Sequence, residues 1–181
     1  MDMEAQTSGT VLLSRPRGFG FHAEAATSNA FAHAATDGDI TARALAEFDA
    51  LATTLTERGV EVLVLDERDG PDAVFPNNWV SFHADGTMVL YPMATAARRL
   101  ERDVDGLKAL LTGFGFAVRN VIDLSFHERH GHFLEGTGSL VLDRPGRRAY
   151  ASVSPRTDAH RVAWPRRIHC PSGSGVIGEY V

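Results

Sequence analysis

A glutamate followed by two closely spaced glycines is the first feature of this sequence that could carry chemistry. Glu135 ends a short apolar run, and Gly136 and Gly138 follow it before the next apolar run begins. Glycines at this spacing predict a tight bend where backbone segments approach closely. A carboxylate held at such a bend is well placed for catalysis. A solvated glutamate at the end of a strand is the plainer interpretation, and the sequence leaves both open.

Two neighbouring asparagines are the second candidate. Side-chain amides donate and accept hydrogen bonds at once, so Asn77 and Asn78 could hold a planar urea or guanidino group without a full charge. The segment Pro76-Asn77-Asn78 is also good turn chemistry, which is its structural explanation. Arg156 could bind a carboxylate through two parallel hydrogen bonds, although a single arginine is most often a surface cation.

Histidines and glutamates crowd the nine residues 127–135. The residue types are those of a metal site, and the candidate ligands are His127, His130, His132, Glu128 and Glu135. The spacing differs from the helical His-Glu-x-x-His pattern of zinc proteases. A solvated basic loop is therefore the favoured interpretation, and a metal site is the alternative.

Composition excludes several classes of function. The 181 residues carry a net charge of −5, which disfavours nucleic-acid binding. No apolar run approaches the ~20 residues that a membrane-spanning helix needs, and the acidic N-terminus lacks the features of a signal peptide. The only cysteine, Cys170, cannot form a disulfide within the chain, which indicates a reducing, cytoplasmic environment.

A unit of strand and helix recurs along the chain. Period-2 and helical patterns predict strands at 11–16, 60–65, 80–83, 87–92 and 116–124, two strands around Arg144-Pro145-Gly146, and helices at 39–59 and 100–113. Units spaced by roughly 55–60 residues suggest a repeat architecture such as a propeller. After Asp158 the pattern stops, because Pro165 interrupts the expected helix and residues 171–178 show no periodicity.

Several motifs together resemble the guanidino-modifying superfamily of pentein fold, which includes amidinotransferases, arginine deiminases and dimethylarginine dimethylaminohydrolases. The resemblance looks closest to its citrulline-utilisation hydrolases and covers residues 11–158. The motifs are Arg15-Pro16 with Phe19-Gly20-Phe21, Ser28-Asn29-Ala30-Phe31, Asp72-Ala73-Val74-Phe75-Pro76-Asn77-Asn78-Trp79-Val80-Ser81-Phe82-His83, Tyr91-Pro92-Met93, Arg98-Arg99-Leu100-Glu101-Arg102, Phe133-Leu134-Glu135-Gly136-Thr137-Gly138-Ser139 and Ser154-Pro155-Arg156-Thr157-Asp158.

The resemblance implies an α/β fold of five strand–helix units around a central channel. About two and a half of these units are represented here, as an incomplete αβ-propeller. The expected domains are a flexible tail at 1–10, the amino-terminal part of a pentein domain at 11–158, and a divergent tail at 159–181.

The resemblance also implies a covalent mechanism without a cofactor. A cysteine thiolate attacks the guanidino or ureido carbon and releases an amine, and a histidine then activates water. Glu135 matches the carboxylate that orients this histidine. Asn77 and Asn78 stand where relatives carry acidic residues, and amides there suit a neutral ureido group such as that of citrulline.

Two arginines and a further asparagine complete the candidate substrate site. Arg98 and Arg156 match positions that hold the α-carboxylate of an amino-acid substrate. Asn29 is the third substrate-binding candidate from the resemblance. The expected partner is therefore a small citrulline- or arginine-like amino acid, and neither nucleic acid nor membrane.

The family's histidine and cysteine lie in the fourth and fifth units, beyond Asp158. His169 and Cys170 are adjacent, so they cannot easily serve as a base and a nucleophile brought from separate units. We therefore expect a truncated or frameshifted fragment that is inactive alone and self-associates through exposed apolar faces. The alternatives are a non-catalytic binder of guanidino or ureido amino acids, and a metal hydrolase at the histidine cluster.

Overall fold

The computed structural model describes residues 5–26, 39–66 and 70–158, and the backbone of residues 168–169 and 176–179. These residues form a mixed α/β structure with three small sheets. The strands are β1 (Thr10–Ser14), β2 (Glu61–Leu65), β3 (Val80–Phe82), β4 (Thr87–Leu90), β5 (Asn120–Asp123), β6 (Leu140–Asp143), β7 (Arg148–Ala151), β8 (Ile168–His169) and β9 (Val176–Glu179). The α-helices are α1 (Ala23–Ala26), α2 (Ile40–Glu57), α3 (Ala96–Arg99), α4 (Val104–Gly113) and α5 (Gly136–Ser139), and Pro76–Asn78 and Ser125–His130 are 3-10 helices.

The first sheet contains two parallel strands joined by a helix. β1 pairs with β2, and α2 makes the crossover that a parallel pair requires. Asp39 caps this helix by accepting a hydrogen bond from the amide of Ala42. A capping aspartate satisfies one of the amides that a helix start leaves unpaired. The helix and the strand predicted at 39–65 are therefore confirmed.

The second sheet has the order β3-β4-β5, with β3 antiparallel and β5 parallel to β4. α4 connects β4 to β5, and its Leu107 and Leu111 are buried as predicted. The prediction that Leu100 shares this face is wrong, because this residue is 84% exposed. The chain turns between α3 and α4, and this turn breaks the helical register of Leu100 with Leu107.

The third sheet is antiparallel, with the order β6-β7-β9-β8. β9 pairs with β7 along all four residues, from Ala151 opposite Val176 to Arg148 opposite Glu179. The sequence from 171 to 178 has no strand periodicity, yet part of it forms β9. Ladder hydrogen bonds join backbone groups, so side-chain patterning did not reveal this strand.

β4 is the central strand of the core and leads directly to the candidate site. All four of its residues are buried, and successive side chains of a strand point to opposite faces. Val89 packs in a cluster with Leu124, Leu134 and strands β6 and β7, whereas Met88 and Leu90 belong to a cluster with Trp79, Leu107 and β2. In the segment that follows β4, Tyr91 belongs to the first cluster and Met93 to the second, so this segment packs on both sides.

Gln6 attaches the segment before β1 to the β6–β7 hairpin. Its amide nitrogen donates to the carbonyl of Leu142, and its amide oxygen accepts from the backbone amide of Arg144. This part of the predicted tail thus makes specific contacts.

Several large apolar side chains are exposed, among them Leu51, Val141 and Val153. In the part of the chain that the structure describes, no helix combines the length and the apolar character that a membrane crossing requires.

Candidate active site

Glu135 is a buried carboxylate with both oxygens bound. Only 1% of the residue is exposed, and it immediately precedes α5. Its Oε1 accepts a hydrogen bond from the amide of Ala94 at 3.0 Å, and its Oε2 accepts from Nε of Arg156 at 2.8 Å. The interpretation of Glu135 as a solvated strand-end residue is therefore wrong.

Arg156 is the counter-ion of Glu135. Its Nη2 forms an ion pair with Oε2, and 25% of its side chain is exposed. Hydrogen bonds fix the backbone around it, since Ser139 Oγ donates to the carbonyl of Arg156 at 3.0 Å and accepts from the amide of Glu135 at 3.1 Å. Two residues that the sequence suggested separately thus contact each other.

The two glycines after Glu135 allow α5 to pack against the 3-10 helix Pro76–Asn78, here named the Asn turn. Gly136 has a φ of +35°, and a Cβ added there would overlap the backbone carbonyl of Asn77. At Gly138 an added Cβ would lie 2.6 Å from Nδ2 of Asn78. The close backbone approach predicted from these glycines is confirmed. The tight bend that was predicted with it is a single turn of helix, α5.

Both asparagine amides have a defined direction. Arg98 Nη1 donates to Oδ1 of Asn78 at 2.6 Å, and the amide nitrogen of Asn77 donates to Oγ1 of Thr137 at 2.7 Å. Asn78 is buried, whereas Asn77 is exposed. The Asn turn therefore borders residues 137 and 138 of α5, and Glu135 lies directly before this turn of helix.

Arg98 is a buried cation that organises the Asn turn from behind. Only 3% of the residue is exposed. Its acceptors are both carboxylate oxygens of Glu101, Oδ1 of Asn78 and the carbonyls of Asp72 and Phe75. Burial raises the pKa of the Glu101 carboxyl above its ordinary value, and the hydrogen bonds and charge of Arg98 act in the opposite direction. Each of the three guanidinium nitrogens thus donates to the protein itself.

Glu128 is a second carboxylate with little exposure, which the sequence suggested only as a metal ligand. It accepts from the amide of Met93 at 2.7 Å, and Arg102 donates to both its oxygens at 2.6 and 2.9 Å. Glu128 and Glu135 therefore hold neighbouring amides, those of Met93 and Ala94. The clustered arginines in the segment Arg98–Arg102 indicated ion pairs, but the sequence did not show which carboxylates they would bind.

A depression of about 420 Å³ lies beside this second carboxylate. It is lined by Arg99, Ser125, Phe126, Glu128 and Arg129. None of the substrate-site residues suggested by the sequence lines it. Since the buried Glu135 and the two amides carry the chemical argument, we place the candidate site at the Asn turn and α5.

The histidine cluster does not form a metal centre within the described ranges. The ring centroids of His127 and His132 are 6.4 Å apart, and those of His130 and His132 are 6.3 Å apart. Across residues 5–26, 39–66 and 70–158, no group of three or more histidine, cysteine or acidic side chains could hold a metal ion. Phe126 lies against His127, with 4.1 Å between the ring centroids.

His127 should make the stability of the protein depend on pH. It is buried, and its Nε2 has no hydrogen-bond partner in the described structure. Burial, with smaller contributions from His132 and His130, lowers the pKa of His127 below its ordinary value of 6.5. The unfolded chain therefore binds more protons than the folded chain near and below pH 6.5, so stability is lost as the pH falls.

We expect the His127→Phe variant to lose less stability than the native chain between pH 7.5 and pH 5.5. The measurement is urea unfolding at both pH values. His130→Asn, a change at an exposed histidine, is the control. An equal loss in the native and His127→Phe proteins would contradict this role.

Asn29 and Cys170 lie outside the described residues, and only the backbone of His169 is described. The substrate-binding role suggested for Asn29 therefore stays a prediction.

A family match and a shared fold relate this chain to guanidino-modifying proteins of pentein type. Residues 15–167 match the family model described as N,N dimethylarginine dimethylhydrolase, eukaryotic, and the chain belongs to that family. The resemblance to guanidino-modifying proteins is thus confirmed, and the family is one of guanidino-group hydrolases.

A solved structure shares the fold. It is apo ArgZ, described as an arginine dihydrolase from the ornithine–ammonia cycle in cyanobacteria, with a TM-score of 0.51 and 19% sequence identity. The match covers 83% of this chain and 21% of that one, so the chain spans about a fifth of the length of that protein. No curated protein sequence matches the chain.

Proposed function

We propose that this chain supplies the substrate-binding part of a hydrolase that acts on the ureido or guanidino C–N bond of a small arginine-like amino acid. The observation that carries the proposal is the meeting of Glu135, Arg156 and the Asn turn around α5. Glu135 accepts from Arg156, and α5, which begins directly after it, contacts both asparagines. Family membership supports the reaction class.

Within this site, Arg156 is proposed to bind the α-carboxylate of the substrate. Nε and Nη2 of Arg156 contact Glu135, and Nη1 donates to no acceptor within the described structure. The side chain is partly exposed, and Nη1 is the nitrogen proposed to contact the ligand. Glu135 is proposed to orient the histidine that the mechanism requires, as the resemblance implies.

A ureido group is the preferred substrate, because the nearby carboxylates already have cationic partners. Glu135 pairs with Arg156, and Glu101 pairs with Arg98. A guanidinium would need an uncompensated carboxylate to replace its hydration, whereas a neutral ureido group needs only hydrogen bonds. Amides at Asn77 and Asn78 provide such bonds.

The cysteine chemistry of the superfamily is proposed to lie outside the residues that bind the substrate here. The sequence has one cysteine, Cys170, and its neighbour His169 cannot easily act as an independent base. We propose that Cys170 is not the nucleophile and that the chain alone binds without turnover. About two and a half units of an αβ-propeller are proposed across residues 11–158, preceded by a tail at 1–10 and followed by a divergent segment at 159–181, which contributes β8 and β9 to the third sheet.

The test is calorimetric titration of the purified chain with L-citrulline and L-arginine, together with an assay of ammonia release. We expect binding of citrulline and no ammonia release, both unchanged in Cys170→Ser. Absence of binding to either amino acid would overturn the proposed function. Ammonia release that depends on Cys170 would overturn the proposal that this cysteine is not the nucleophile.

A second candidate function, a non-catalytic binder of ureido or guanidino amino acids, is favoured by the same contacts. The two functions are distinguished by an ammonia assay after a protein that supplies a base and a nucleophile is added. Ammonia release from the assembly would support the hydrolase function, and citrulline binding without ammonia release would support the non-catalytic binder. Self-association through exposed side chains such as Leu100 and Val141 is a further proposal, which sedimentation of the purified chain would test.

A further inference from the structure

We propose that Arg98 is a positioning residue that determines substrate specificity by fixing the direction of the Asn78 amide. This inference rests on the proposed function, and it assigns Arg98 a role other than binding the α-carboxylate. The observations that carry it are the buried Arg98–Asn78 hydrogen bond and the arrangement of the two amides beside α5.

The hydrogen bond to Arg98 decides which end of the Asn78 amide faces the site. A guanidinium has only donors, so the Asn78 atom 2.6 Å from its Nη1 must be the amide oxygen. The amide nitrogen of Asn78 then faces Gly138. No hydrogen bond in the described part of the chain satisfies this nitrogen, and a side chain at position 138 would cover it, because an added Cβ would lie 2.6 Å away.

Asn77 presents the opposite polarity. Thr137 Oγ1 donates to the backbone carbonyl of Asn77, so its lone pairs accept from the Asn77 amide nitrogen. The amide oxygen of Asn77 accepts no hydrogen bond from the described residues. The Asn turn therefore offers one acceptor, from Asn77, and one donor, from Asn78.

A ureido group complements this pair, and a guanidinium does not. The ureido carbonyl can accept from Asn78 while the ureido NH₂ donates to Asn77. A guanidinium would present N–H groups both to the amide oxygen of Asn77 and to the amide nitrogen of Asn78. The second contact would place two donors against each other. Turning the Asn78 amide over would place its NH₂ against Nη1 of Arg98 in a buried position, where two facing donors are costly.

Arg98 itself is held by elements away from the ligand. Glu101 binds Nε and Nη2, and the carbonyls of Asp72 and Phe75 bind Nη2. These contacts leave Nη1 directed at Asn78. The specificity of the Asn turn is therefore set by a residue that does not touch the substrate.

The experiment measures the affinities for L-citrulline and L-arginine in four variants by calorimetry. In Asn78→Asp, one oxygen keeps the bond to Arg98 and the other becomes an acceptor. We expect citrulline affinity to fall about tenfold or more, because the donor is lost, and arginine to become the preferred ligand. Asn120→Asp makes the same change at an exposed asparagine that lies beside Thr87 at the start of β4, so citrulline affinity should change less than about threefold.

Arg98→Lys keeps the charge but removes the planar fork, which frees the Asn78 amide to turn. The ratio of citrulline to arginine affinity should fall about tenfold. Arg102→Lys is the matched control, because it makes the same exchange at an arginine that binds Glu128 and not the Asn turn. It should lower the melting temperature and leave the ratio unchanged.

The outcomes separate this inference from the proposed function. No binding of either amino acid by the native chain would overturn both. Binding by the native chain with equal affinity for the two ligands would overturn both the ureido preference and the role of Arg98, and would leave the proposed hydrolase function standing. An unchanged citrulline preference in Asn78→Asp would overturn the role of Arg98 alone. If Arg98→Lys does not fold, the two asparagine variants still decide the question.

Discussion

Replacing Arg156 by methionine is expected to lower the free energy of unfolding by about 3 kcal/mol at neutral pH, because it leaves a buried carboxylate without its counter-ion. Glu135 is almost fully buried, and Arg156 contacts its Oε2 through two nitrogens. Methionine keeps much of the length of the side chain, so the change isolates the charge and its hydrogen bonds. Urea unfolding at pH 7.5 measures the effect.

A double-mutant cycle with Glu135→Gln shows whether the two residues act as a pair. The glutamine side chain retains an oxygen for the amide of Ala94 but removes the charge that Arg156 neutralises. The double variant should be more stable than the sum of the two single effects predicts, with a coupling free energy of about 2 kcal/mol. Additive effects would show that Glu135 and Arg156 do not stabilise each other.

Replacing Gly136 by alanine should have an effect of similar size, about 3 kcal/mol, for a steric reason. The residue has a positive φ, which alanine adopts poorly, and its new Cβ would overlap the backbone carbonyl of Asn77. Backbone cannot rotate away as a side chain can, so either α5 or the Asn turn must move. Binding of citrulline should be lost together with stability.

Gly131→Ala is the matched control, since Gly131 has a φ of +68° and no atom within 4 Å of an added Cβ. It should lower the free energy of unfolding only by the cost of placing alanine at a positive φ, about 1 kcal/mol, and leave the binding of citrulline unchanged. Equal destabilisation by the two substitutions would mean that the close approach of α5 to the Asn turn does not contribute.

Local chemistry predicted the parts of the site that are close in sequence. Asp39 and Gly59 bound a helix because a cap and a terminating glycine act within one turn. The glycines after Glu135 indicated a close backbone approach, since few other features require glycine at this spacing. The sequence did not show which segment approaches, because the Asn turn lies about sixty residues earlier.

Pairing between distant charges could not be predicted from the sequence. Arg98, Arg99 and Arg102 look alike as a basic series, yet Arg98 binds the Asn turn and Arg102 binds Glu128. The partner of each depends on how the turn after α3 rotates the chain. That turn also exposes Leu100, which helical spacing alone had assigned to the core.

The histidine cluster shows the opposite error, in which residue types suggested more than geometry supports. His127, His130 and His132 are close in sequence, but the ring of His132 lies more than 6 Å from each of the other two, from centroid to centroid. The same segment contributes Glu128 to the structure instead. Glu128 and Glu135 accept hydrogen bonds from the backbone amides of Met93 and Ala94. Both carboxylates thus hold the end of the segment that follows β4.

The most direct test of the central claim is a crystal structure of the native chain with L-citrulline bound. We predict that the ureido oxygen lies within hydrogen-bond distance of Nδ2 of Asn78 and the ureido NH₂ near Oδ1 of Asn77. The α-carboxylate should contact Nη1 of Arg156. Citrulline bound elsewhere, for instance in the depression between Arg99 and Arg129, would contradict the assignment of the Asn turn as the substrate site.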